Sequence, residues 1–264
     1  MLTLFSALVA VVFYCTAACR QMLSLTRRLP LRQGLVNAAS ALAVAGHGIV
    51  VYTTLSAHEG LHLGISETIS LVFFLIATLL LLASIKKPLM PAAVGLYPLA
   101  ALSVIGAVGF PESSIEYGFT PGMLTHIATS VLAYALLIMA AGQAVLLAVQ
   151  THALKHNHLR GIIQVLPPLT TMERLMFELI IWGMVFLTGS IISGFLFIND
   201  LFAQHLAHKT VLSLLAWVLF SILLWGRYQR GWRGSWAIRW TLGAVIVLIL
   251  AYFGTRLIIQ LLHG

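Results

Sequence analysis

Ten histidines are the residues best suited to hold a metal or carry a proton in this chain, against seven carboxylates and two cysteines. His126 is the most suggestive. The turn Thr120-Pro121-Gly122 ends a loop carrying Glu112 and Glu116, and an apolar run then continues to about Gln150 with His126 in its first turn. A histidine where an apolar helix meets water is placed to bind something lying on that face. His47 stands instead inside an apolar run, where an ionisable group is expensive and functional by default. A neutral imidazole hydrogen-bonded to a neighbouring helix is the alternative. His205 and His208 lie three apart, His58 and His62 flank Glu59-Gly60, and His263 is the penultimate residue. Imidazole ligates zinc and is an axial ligand of haem iron. No His-Glu-x-x-His spacing occurs, so spacing alone leaves zinc, haem and no ligand all open. Cys15 and Cys19, one helical turn apart in the first apolar run, form neither a disulfide framework nor a zinc motif and read as small packing residues.

The elements that must position these side chains are membrane spans. Of 264 residues, 60% are hydrophobic and 8% charged, with mean hydropathy +1.00. So few charges cannot cover a water-facing surface, and the expected class is an all-α, polytopic transmembrane bundle. Runs of about 20 apolar residues fall at 3–24, 34–55, 66–85, 90–109, 124–150, 175–198, 209–226 and 237–261, eight in all. No polar segment is long enough for a second domain, so residues 1–264 read as one membrane domain. The first run lacks a basic leader and a small-residue cleavage site, which points to a retained span and not a secretory signal. Short connections rich in Pro, Gly and charge join the spans, as at Arg27-Arg28-Leu29-Pro30, Lys86-Lys87-Pro88 and Gly231-Trp232-Arg233-Gly234.

The basic residues orient this bundle. Thirteen of the fifteen Lys and Arg sit at the odd-numbered connections: Arg20, Arg27, Arg28 and Arg32; Lys86 and Lys87; Lys155, Arg160 and Arg174; Arg227, Arg230, Arg233 and Arg239. The positive-inside rule makes those connections cytoplasmic and puts both termini on the outer, periplasmic side. The net charge of +8 follows from this asymmetry and from contact with membrane lipid, so no nucleic-acid partner is expected. His58, His62, His126, His205, His208 and His263 then share the outer side, while His152, His156 and His158 fall in the cytoplasmic fifth connection. Lys209 and Arg256 are the two basic residues that break the bias. Glu67, in the first turn of the third span, is a first-turn acid of the kind the helix dipole favours.

Several stretches, in order along the chain, resemble the cytochrome c assembly proteins, the CcsA/CcmC-type haem handlers, and most closely their short eight-helix inner-membrane branch. They are Gly46-His47; Leu61-His62-Leu63-Gly64-Ile65-Ser66-Glu67-Thr68, similar to the family's Pro-Leu-Ser-Asn-x-Tyr-Glu-Ser; and Leu124-Thr125-His126-Ile127 with Leu132-Ala133-Tyr134-Ala135. Then come Leu166-Pro167-Pro168-Leu169 through Glu173-Arg174, Leu187-Thr188-Gly189 with Ser193-Gly194, Arg230-Gly231-Trp232-Arg233-Gly234, Tyr252-Phe253-Gly254 and Leu262-His263-Gly264. The family-like core covers about 40–264.

This resemblance implies a haem held at the outer face by paired histidines for attachment to apocytochrome c. His126 matches the first outer ligand, His263 the second, and His47 the first intramembrane histidine. Lys209 and Arg256 are the outer cations available to haem propionates, and Phe110, Phe119, Phe197 and Phe202 fall at a suitable depth to flank a macrocycle. Two features depart from the pattern. Gln204-His205-Leu206-Ala207-His208 stands where the family's Trp-rich segment belongs, so His205 and His208 are candidate substitutes for that platform. Trp225 occupies the place of the second intramembrane histidine. The expected protein is a haem-binding and delivery protein of the bacterial inner membrane, not an enzyme, working beside other cytochrome c maturation proteins. The alternatives are a divalent-metal permease or its accessory subunit, and a haem-free membrane scaffold.

Overall fold

The computed structural model describes residues 1–26, 28–30, 32–56, 64–110, 120–156, 165–197 and 207–254. Every regular element among them is helical: α1 (Leu2–Leu25), α2 (Gln33–Leu55), α3 (Ile65–Ser84), a 3₁₀ turn (Met90–Ala92), α4 (Ala93–Gly109), α5 (Pro121–Lys155), α6 (Leu169–Phe197), α7 (Ala207–Arg230) and α8 (Ser235–Ile249), which ends in a π turn (Leu250–Gly254). Eight helices are long and apolar enough to cross a membrane, as expected. Several boundaries differ from the sequence reading, most of all at the connection of α5 and α6. Apolarity stops near Gln150, but α5 continues to Lys155 and carries His152 on its last turns; α6 starts at Leu169, six residues before its apolar run. A helix needs backbone hydrogen bonds and not lipid, so polar helix formers extend α5 to 35 residues, about 52 Å against a hydrocarbon layer of about 30 Å. At the exposed end His156 Nδ1 donates to the His152 carbonyl (2.8 Å), which stacks the two rings 4.2 Å apart.

The helices gather into two compact units, one of residues 1–118 and 149–169, the other of residues 119–148 and 170–264. In the first, α1 packs on α2 and α4, and α3 on α2 and α4. The crossing of α1 and α2 is close because small residues form it. A Cβ on Gly46 would sit 2.9 Å from the Ser6 carbonyl oxygen and 3.2 Å from the Ala10 nitrogen, backbone atoms that cannot step aside. In lipid such contact is the main attraction between helices. The same face of α1 buries Ala10, Tyr14, Ala17 and Ala18. Cys15 and Cys19 lie off that stripe and are exposed, so the expectation that they pack is corrected.

The second unit holds most of α5 with α6, α7 and α8. Polar contacts between its helices are specific: Trp217 Nε1 donates to Thr188 Oγ1 (2.9 Å), and the Tyr134 hydroxyl donates to the Leu248 carbonyl (2.7 Å) just before α8 loosens into its π turn. At the other end of the unit the Arg-Gly-Trp-Arg-Gly stretch folds into a tight turn, with Gly231 and Gly234 at φ of 66° and 57°. Arg227 pairs with Glu173 (2.6 Å) and lies over the Phe177 ring, while the Trp232 ring covers Gly226, where any Cβ would collide with it. Trp225 is half exposed, with the Arg230 guanidinium 4.8 Å from its ring centre.

Candidate functional site

Pro121 begins α5 without needing a hydrogen-bond donor, and Thr120 Oγ1 accepts from the Met123 N–H (3.3 Å). The first turn then lies on the end of α6, where a Cβ on Gly122 would strike the Phe197 ring. This seating carries His126 to the carbonyl of Ser190, 2.8 Å from its Nδ1. A carbonyl only accepts, so Nδ1 is the protonated nitrogen of the neutral ring and Nε2 holds the lone pair. Ser193 Oγ stands further off, 3.5 Å from Nδ1, and Ser130 Oγ meets Ser190 Oγ at 2.6 Å. Gly194 makes room for the ring. A Cβ there would lie 3.1 Å from His126 Cε1 and 3.2 Å from Nδ1, tighter than ordinary contact. Among the described residues His126 Nε2 has no hydrogen-bond partner. An imidazole pinned through Nδ1 to a backbone oxygen, with Nε2 open, is in the state that metal-ligating histidines adopt.

Three more features share the end of the unit where α5 and α7 begin and α6 and α8 end. His208, in the first turn of α7, has a buried Nε2 without a hydrogen-bond partner. Lys209 places Nζ 5.5 Å from the Tyr252 ring centre. Tyr252 in turn lies edge-on to Tyr134 (6.1 Å). His263, His205 and Arg256 lie outside the described residues, as do His58, His62, Phe119 and Phe202.

His47 is in the other unit and differs from His126 in kind. It is fully buried, Nδ1 lies 3.1 Å from the Tyr14 hydroxyl and Nε2 lies 2.9 Å from the Ser70 hydroxyl. Phe74 and Tyr14 meet its ring edge-on, and Tyr97 leans on Tyr14 (5.2 Å). Each ring nitrogen thus has a hydroxyl partner, the arrangement of a hydrogen-bonded imidazole. Sequence reasoning missed Tyr14, Ser70 and Ser190 as partners. Gly194 appeared only as part of a family-like stretch, though a glycine one helical turn from a serine late in a span is a usable sign of close approach.

Among the described residues no three His, Cys, Asp or Glu side chains come together as ligands for one metal ion. A single open imidazole is the kind of donor a haem asks for, since the porphyrin supplies four nitrogens and leaves the protein only the axial positions.

A family model, Cytochrome C assembly protein, matches residues 35–263. The chain is 33% identical over 235 residues to Inner membrane protein YpjD of Escherichia coli (strain K12), covering 88% of each. It is 34% identical over 151 residues, 56% of each chain, to an uncharacterized 28.8 kDa protein in the nifR3-like 5'region of Azospirillum brasilense. No solved structure matches the chain. Eight spans, a family match over residues 35–263 and a relative 33% identical over 88% of the chain agree: the chain belongs to the cytochrome c assembly protein family.

Proposed function

We propose that this chain, a multi-pass protein of the inner membrane, binds haem at the outer end of its second unit and presents it there during cytochrome c assembly. Membership of the family supports a haem-handling role in general. The observation that carries the finer reading is His126, whose Nδ1 is held by the Ser190 carbonyl while Nε2 stays open. His126 is one axial ligand of a paired-histidine site, and the resemblance assigns the second position to His263. Lys209 and Arg256 meet the propionates. The outer placement rests on the positive-inside bias, thirteen of fifteen basic residues lying at odd-numbered connections, which also puts both termini outside. In this reading the chain's own residues bind, orient and release haem, so that it acts as a delivery protein beside other maturation proteins. His47, closed at both nitrogens, holds α1, α2 and α3 together.

The test is the absorption spectrum of the purified full-length protein after haem addition. Wild type should give a Soret band. His126→Ala should shift it and weaken binding, and added imidazole should restore the signal by filling the empty axial position. A His126→Ala spectrum identical to wild type refutes the ligation, and bound divalent metal without haem would favour the cation-carrier alternative.

A further inference from the structure

Arg239 lies one turn inside the last span, Ser235–Tyr252, and on its exposed side. Trp236, Gly243 and Ile246 share that exposed stripe at helical spacings of three and four residues, so it faces lipid and not the bundle. A guanidinium on such a stripe is costly unless an anion meets it. The protein supplies none among its described residues. Two carboxylates stand at this end of the second unit, and both are taken. Glu173 pairs with Arg227 (2.6 Å) and accepts from the Gly234 N–H (3.4 Å), and Glu178 pairs with Arg174 (3.3 Å). Arg230, Arg233 and Arg239 are left without a carboxylate, and Arg230 lies instead over the Trp225 ring.

The surroundings of Arg239 gather what an anion needs. Side chains on a helix lean toward its N-terminus, so Arg239 reaches back over the first turn of α8. The backbone N–H groups there have no side-chain cap and no acidic residue in the turn. Arg233, exposed, stands just before them, in the turn shaped by Gly231 and Gly234. That turn is held firmly. The Trp232 N–H donates to the Gly226 carbonyl (3.1 Å), and its ring centre lies 6.0 Å from that of Trp236 and 5.4 Å from that of Trp240. Tryptophans of this kind settle at the depth of lipid headgroups. One turn deeper a Cβ on Gly243 would meet nothing within 4 Å, which leaves the stripe open for an acyl chain.

We propose that the first turn of α8, with Arg233 and Arg239, is a docking site for an anionic phospholipid. Its phosphate meets the two guanidinium groups and the uncapped N–H groups, Trp236 lies beside the headgroup, and a chain runs along the stripe past Gly243. A headgroup such as phosphatidylglycerol leaves the phosphate charge uncancelled and suits three uncompensated arginines. A phosphatidylcholine headgroup carries its own cation, which those arginines repel. The site is independent of the haem reading.

The test places the full chain in phosphatidylcholine vesicles that carry brominated phosphatidylglycerol or brominated phosphatidylcholine as a minor lipid, and reads tryptophan quenching. Three of the six tryptophans, Trp232, Trp236 and Trp240, stand at the site. Wild type should be quenched at a lower share of the brominated phosphatidylglycerol. Arg233→Gln and Arg239→Gln should each weaken that preference by about fivefold, while Arg239→Lys, which keeps the charge, should retain most of it. Arg174→Gln removes an equal charge at the same end of the unit, from a residue already paired, and should leave the preference unchanged. The unfolding midpoint in pure phosphatidylcholine should be the same in every variant, because these arginines are exposed. A wild type without the preference, or an Arg233→Gln/Arg239→Gln double variant that keeps it, overturns the site. An equal loss in Arg174→Gln would reduce it to diffuse attraction, and a lowered midpoint in Arg239→Gln would make that residue a packing element. Loss of the preference on adding inorganic phosphate, against chloride at the same ionic strength, would mean that a soluble anion and not a lipid is the occupant.

Discussion

Replacing Gly194 by alanine adds one carbon directly beneath the His126 ring. That carbon would sit 3.1 Å from Cε1 and 3.2 Å from Nδ1, so the imidazole must retreat by a few tenths of an ångström. The retreat strains the 2.8 Å bond from Nδ1 to the Ser190 carbonyl, which sets the tautomer and the aim of Nε2. Losing an orienting partner of this kind lowers the affinity of a metal site by about 10- to 100-fold, or about 1.4–2.7 kcal/mol. Helix stability moves the other way, since alanine in a helix interior is favoured over glycine by about 1 kcal/mol. The expected signature is therefore weaker haem binding in a protein that unfolds no earlier than wild type. Haem titration followed by absorbance, with the haem-free unfolding midpoint measured on the same sample, reads both quantities. Gly189→Ala is the matched control, because its Cβ would find only Thr129 Cγ2 at 3.9 Å. Wild-type haem affinity in Gly194→Ala, or an equal loss in Gly189→Ala, would refute the argument that Gly194 positions the ring.

Two further outcomes are expected. Topology reporters fused after Arg28, Lys87, His156 and Arg233 should read cytoplasmic, and those near His58, Glu116 and Ala203 external; a cytoplasmic reading at Glu116 removes His126 from the outer face. Tyr14→Phe and Ser70→Ala each strip one hydrogen-bond partner from the buried His47 ring. Each should lower stability by about 1–3 kcal/mol in a reversible unfolding assay while haem binding at His126 is retained, and unchanged stability in both would show that the ring does not hold these helices together.

What the sequence revealed here follows from what is local. Apolar run length located all eight helices, since the requirement to cross lipid acts residue by residue along one segment. It misplaced the α5–α6 connection because Gln150 to Lys155 leave the apolar layer without leaving the helix. The start of α5 at Thr120-Pro121-Gly122 was readable from its turn chemistry, and with it the position of His126. The state of that histidine was not, because the carbonyl that selects its tautomer is 64 residues away. His47 makes the same point. Its two partners come from 33 and 23 residues away, so neither could be read from the residues around it. Cys15 and Cys19 misled for a related reason. Small size fits a residue for close packing, but the side of α1 that packs is chosen by the neighbouring helices.

The family match begins at residue 35, beyond the end of α1. His47 lies inside the matched stretch, yet the hydroxyl at its Nδ1 belongs to Tyr14, in the helix before it. An alignment confined to the shared stretch would therefore present a membrane histidine held only by Ser70, with one nitrogen free, and would invite its assignment as a ligand. The whole chain adds Tyr14, a partner that the matched stretch omits. Sorting members of such a family by their histidines alone would pass over that partner. The pair of histidine and helix-borne tyrosine comes into view only when the leading helix is kept in the comparison.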